Sequence, residues 1–124
     1  MAINMFITIC IQILALMGNE QVCITGEQES ELVAELERRL PQGKLDFTPE
    51  KGQFYDVVLF SPAFNPEDTS LLKPEGRGLI IGRTSPEGIY HCKKILNEMG
   101  YKIEHSEVRR EIGQSDRWIC ILFH

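Results

Sequence analysis

The chain has 124 residues, 43% hydrophobic and 25% charged, which suits one globular domain with a single modest core and argues against two. Its formal net charge of −5, from 13 Lys and Arg against 18 Asp and Glu, provides no basic stripe to neutralise phosphates, so no nucleic-acid partner is expected. Four cysteines, Cys10, Cys23, Cys92 and Cys120, show no CxxC spacing; they read as reduced, structural thiols, which favours a cytoplasmic protein.

In chain order, "MAINMFITICIQILALMG" (1–18) is nearly all apolar. It has no Lys or Arg before the apolar run and no A-x-A-like cleavage site, unlike a signal peptide. Asn4, Thr8 and Gln12 interrupt it, and it is marginal for the roughly 20 residues a membrane span needs. Two readings stay open: a helix or strand buried in the domain's own core, or a segment that docks on a protein partner or a second copy to form a homodimer. No membrane association is expected.

A short strand at 22–25 leads into "GEQESELVAELERRLPQG". There Leu32, Val33, Leu36 and Leu40 share one helical face, Glu35 and Arg39 can pair at i,i+4, and Pro41 and Gly43 stop the helix. "KLDFTP" reads as a second strand. "YDVVLFSP" and "GRGLIIG" read as a third and fourth, their continuous apolar runs suiting parallel strands covered on both faces. The next helix has Ser85 as cap, Pro86 in the first turn and Glu87 complementing the dipole. Ile89, Cys92, Ile95, Leu96 and Met99 form its buried stripe, and Gly100 ends it. The alternating stretch 101–110 and the terminal "RWICILFH" leave no room for a crossover helix between them, so they are expected to pair antiparallel. The fold class is therefore α/β: a three-layer, Rossmann-like sandwich with a mainly parallel sheet and an antiparallel C-terminal strand pair.

"YDVVLFSPAF", "LLKPEGRGLIIG", "ILNEMGYKIEHSEV" and "RWICILFH", in this order and spacing, resemble the second half of a class I S-adenosylmethionine-dependent methyltransferase. The resemblance covers residues 54–124, with a weaker echo at 22–49. It implies that these phrases mark the family's fourth to seventh strands, the last one reversed. Only a few residues separate "KLDFTP" from "FYDVV", so the family's third strand and its helix are expected to be absent. The helix between "SPAFN" and "LLKPEG" is expected to shrink to a turn or two.

In that family a D/E-x-G-x-G turn after the first strand approaches the cofactor, and an acidic residue ending the second strand holds the ribose. Here "VCITGEQESE" offers Thr25 and Gly26, with Glu27, Glu29 and Glu31 crowded beside them, and only Asp46 or Glu50 can stand for the acid. Either acid also reads as an ordinary solvated carboxylate. "SPAF" resembles the "(D/N/S)PP(Y/F/W)" motif of amino-methylating enzymes: Ser61, Pro62 and Phe64 match, while Ala63 replaces the second proline. The alternative is a strand end whose prolines terminate the edge and whose Phe64 packs.

Other chemistry is thinner. His91 and Cys92 cannot both face one site from adjacent helical positions, and His105 and His124 have no metal-ligand spacing, so no metal is expected. Arg83, Thr84 and Ser85 precede a helix N-terminus that would accept an anion, or only a cap. The expected function is a non-catalytic, methyltransferase-like scaffold or protein-interaction module that needs no cofactor, similar in plan to the N-terminal domain of the anamorsin family. The alternative is a methyltransferase with a reduced site for S-adenosylmethionine.

Overall fold

The computed structural model describes residues 3–124; positions 1 and 2 of the apolar N-terminal segment lie outside the described residues. That segment folds as α1, Ile3–Leu14. Phe6, Ile7, Cys10, Ile11 and Leu14 fall on one helical stripe and are buried against the chain's own sheet. That is the first of the two readings, a helix buried in the domain's own core. No described helix is long and apolar enough to cross a membrane.

Strand β1 (Gln21–Ile24) enters α2 (Ser30–Arg39), whose Leu32 and Leu36 are buried. Glu35 binds the Arg39 guanidinium at 2.7 Å, as the spacing predicts, and also pairs with Arg38. Strand β2 (Lys44–Asp46) is only three residues long, and β3 (Tyr55–Phe60) follows with no helix between them. A single 3-10 helix, Pro66–Leu71, capped by the Asn65 side chain, replaces a full crossover helix.

Strand β4 is longer than the sequence suggests, running Leu72–Thr84. Leu72 lies opposite Tyr55 and Arg77 opposite Val57, so residues 73–76 bulge outward and let Pro74 sit inside a strand at an irregularity. Helix α3 (Pro86–Glu98) opens as expected: the Ser85 hydroxyl accepts from the Gly88 N–H at 3.1 Å. Cys92 and Leu96 are buried, but Met99, expected on the same stripe, is the exposed C-cap. Strands β5 (Ile103–Arg110) and β6 (Arg117–Phe123) pair antiparallel.

The six strands form one sheet in the order β2-β1-β3-β4-β6-β5. β2, β1, β3 and β4 run parallel, and β6 runs against both its neighbours. Alternation then divides the core. Val22, Ile24, Leu59, Leu79, Ile81 and Leu122 pack under α1 and α2, while Cys23, Val58, Phe60, Ile80, Ile119 and Ile121 pack under α3 and the 3-10 helix.

Candidate functional site

The chain leaves β1 towards the α1/α2 face of the sheet and leaves β3 towards the α3 face. Departure to opposite faces opens a crevice beyond the carboxyl ends of the two adjacent strands. A cavity of about 370 Å³ lies there, at the lower end of the range for small-molecule sites. Its walls are the loop and first turn after β1 (Glu27, Gln28, Glu29, Ser30), the end of β3 (Ser61, Pro62) and the end of β4 (Ile81 to Arg83), with Trp118 of β6 and Ile7 of α1 completing it.

The backbone at this edge is closely fitted. Gly26 has φ +75°, and a Cβ on it would stand 3.0 Å from Ser61 Oγ, so the turn favours glycine and its missing side chain lets Ser61 approach. At Gly82 a Cβ would come within 2.7 Å of Pro62 Cδ. The Pro62 carbonyl in turn accepts from Cys92 Sγ at 3.3 Å, which ties the crevice to α3. Gln28 Nε2 reaches across to the Ile81 carbonyl at 3.5 Å.

Electrostatically the cavity is mixed. Glu29 occupies the N-cap position of α2 without a side-chain cap bond; Leu32 N–H turns back to the Glu29 carbonyl at 3.0 Å, so the N–H groups of Ser30 and Glu31 and the positive end of the helix dipole are what an anion would meet. Arg83 lies over the Trp118 ring at 5.7 Å from its centroid. Its guanidinium donates to Gln114 Oε1 at 3.3 Å and approaches Glu111 Oε1 at 3.9 Å. Trp118 Nε1 donates to the same Glu111 oxygen at 2.5 Å. The loop between β5 and β6 thus fixes both the cation and the aromatic face that line the site. Arg83 turns to this loop, not to the N-terminus of α3, where Ser85 serves as the cap.

The structure brings together only part of the residue set expected from the sequence. Gly26 abuts Ser61, and Ser61 and Pro62 line the cavity. The Ser61 hydroxyl has no hydrogen-bond partner among the described residues. Thr25 is used structurally: its N–H and its hydroxyl both donate to the Leu59 carbonyl, each at 2.9 Å, extending the β1–β3 pairing by one residue. Phe64 packs on Phe60 with ring centroids 5.3 Å apart, so its ring belongs to the core of the α3 face. Asp46 accepts from the Tyr55 hydroxyl at 2.6 Å and lies 3.7 Å from Lys44, which also pairs with Glu50 at 2.8 Å. Burial, and then the bond to Asp46, push the Tyr55 phenol up. Asp46 and Glu50 therefore belong to one polar cluster around Tyr55 that does not line the cavity.

Trp118, Ile7 and Gln28 were not legible as site residues. Trp118 reaches the crevice because β6 pairs antiparallel with β4 and sets it opposite Arg83, a register no local pattern carries. His105 and His124 each pair with a glutamate, Glu107 and Glu104 respectively, and among the described residues no group of three His, Cys, Asp or Glu could hold a metal.

No protein-family model matches the sequence, and no curated protein matches it either. Solved structures do match in three dimensions. TrmN from Thermus thermophilus superposes with a TM-score of 0.64 at 10% identity, over 98% of this chain and 48% of that one. The N-methyltransferase NodS from Bradyrhizobium japonicum WM9 gives 0.60 at 9% identity, over 97% and 94%. Fibrillarin from Aeropyrum pernix, whose structure holds natively bound S-adenosyl-L-methionine, gives 0.61 at 12% identity, over 94% and 74%. The chain thus spans nearly all of one of these proteins and about half of another. The expectation of a fold without a cofactor is corrected by these matches: they are methyltransferases, and one carries S-adenosylmethionine. The chain has the class I methyltransferase-like fold, with β3 following β2 directly and no strand or helix between them.

Proposed function

We propose that the chain is an S-adenosylmethionine-dependent methyltransferase domain with a reduced cofactor site, bound mainly through the methionine end of the cofactor. The observation that carries this is the crevice itself: the N-terminus of α2, Glu27, Glu29 and Arg83 all line one cavity at the carboxyl ends of β1, β3 and β4, with the Arg83 guanidinium held at its rim by Gln114 and Glu111. This donor set fits an α-amino acid zwitterion. First-turn N–H groups and Arg83 suit a carboxylate, and the glutamates suit an ammonium or a sulfonium. The ribose half finds no such partner, because Asp46 and Glu50 stand in the polar cluster around Tyr55 and do not line the cavity.

When bound, the cofactor supplies an electrophilic methyl group carried on a sulfonium. The chain's own residues supply the rest. Ser61, the polar side chain of the "SPAF" stretch that lines the cavity with no partner of its own, is placed to accept a hydrogen bond from an incoming acceptor. Trp118, Ile7 and Ile81 provide apolar wall that excludes water from part of the crevice. The crevice favours this reading over the scaffold role expected from the missing glycine turn.

Calorimetric titration with S-adenosylmethionine and S-adenosylhomocysteine tests it. Saturable one-site binding is expected, with a matching rise in melting temperature. Arg83→Ala should weaken it about tenfold, the ~1.4 kcal/mol of one charge-assisted hydrogen bond. Absence of both heat and thermal shift at saturating ligand would overturn the proposal.

A further inference from the structure

The sheet has two edges, and they are unlike. β2 is three residues long, too short to template another strand. β5, at the opposite edge, runs eight residues, Ile103–Arg110, with no proline and its only irregularity between Ile103 and His105. A long edge strand can pair with another strand; the charges of β5 (Glu104, Glu107, Arg109, Arg110) disfavour most such pairings and leave only those that set opposite charges across.

The sequence of β5 selects the partner. Two copies related by a two-fold axis pair antiparallel with one residue opposite its own copy. Centring on Glu107 sets glutamate against glutamate, and centring on Arg109 sets arginine against arginine. Centring on Ser106 sets Glu107 opposite His105 but also brings Arg110 opposite Lys102, just before the strand. Centring on Val108 brings Glu107 opposite Arg109 twice, once on each side of the axis, with Ser106 facing Arg110 between copies. Opposite charges directly across a strand pair stabilise it, and like charges destabilise it. Val108 is 41% exposed, and its sheet partner Ile119 belongs to the core of the α3 face, so two Val108 side chains meet on that side. Glu107 and Arg109 lie opposite Cys120 and Trp118 and share the other face.

We infer that β5 is a self-association edge: two copies of the chain join antiparallel through residues 105–111, centred on Val108, to give a weak, concentration-dependent dimer with one continuous sheet.

Sedimentation equilibrium over a concentration series tests this. Wild type should rise towards twice the mass of the chain. Val108→Arg, Glu107→Arg and Arg109→Glu should each remain monomeric, with far-UV circular dichroism confirming that each is folded. Mixing the Glu107→Arg and Arg109→Glu proteins in equal amounts should restore the dimer, because every cross-strand charge pair is then opposite again. A wild type that stays monomeric at its highest soluble concentration would overturn the inference, as would a dimer that survives Val108→Arg or a mixture that fails to reassociate.

Discussion

Cys23 lies on β1 with none of its surface exposed, and burial, aided by the neighbouring Asp46 carboxylate, pushes its thiol up to about 11. At pH 8 its thiolate fraction is then on the order of a thousandth. Cys92 is pushed up by burial, and Cys120 by its hydrogen bond with Cys10 and then by burial. These three thiols, and Cys10 because it is buried, are expected to resist an alkylating reagent in the native protein and to react together once it is denatured. Mass spectrometry of labelled protein checks this, and rapid native labelling would contradict it. Asp56 behaves oppositely. Burial would raise its carboxyl, but the Gln21 N–H at 2.8 Å and the Lys73 ammonium at 3.0 Å hold it below the ordinary range. A carboxyl depressed in the folded state contributes stability above its unfolded value near 3.9, and that contribution disappears as pH falls through the folded value. Asp56→Asn should thus lower stability at pH 7 by at most about 1 kcal/mol, since the pair is half-exposed. The difference from wild type should shrink towards pH 3 in denaturant titrations; a constant difference would refute the assignment.

Among the elements, α1 ends with a flaw that can be repaired. Ala15 follows the last helical residue with φ +51°, where a side chain costs about 1 kcal/mol and glycine is preferred. Ala15 is exposed, so Ala15→Gly should stabilise the protein by up to about 1 kcal/mol, read as a higher denaturant midpoint at unchanged slope; a lower midpoint would contradict this. Elements with local signals were legible in the sequence. The Ser85-Pro86-Glu87 start of α3, the Glu35–Arg39 pair and the apolar runs of β3 and β4 all carry their cause within a few residues. So did the missing third strand, because the spacing between β2 and β3 leaves no room for it. What was not legible depends on distant pairing. The bulge at 73–76 follows from how β4 meets Tyr55, and the Arg83–Trp118 contact from the β4–β6 register. Asp46, which resembled a ribose ligand by position, is drawn to Tyr55, nine residues away, by a bend no periodicity encodes.

For the whole molecule, the three-layer arrangement explains how a short, six-stranded chain keeps a crevice. α2 and α1 cover one face and α3 the other, so the switch between β1 and β3 is walled on both faces, while β2 ends the sheet as an open edge. On the proposed reading, the end of the crevice walled by α2, β3, β4 and Trp118 is the one that would hold the methionine part of the cofactor. Backbone and indole amide shifts followed by NMR during titration with S-adenosylhomocysteine test this directly, with Trp118 as the single tryptophan of the chain. Saturable shifts should concentrate at residues 26–32, at Ser61, at residues 81–83 and at the Trp118 indole, and leave Asp46 and Glu50 nearly unmoved. No saturable shift, or shifts centred on Asp46 and Glu50 with the crevice silent, would contradict a cofactor held by its methionine end.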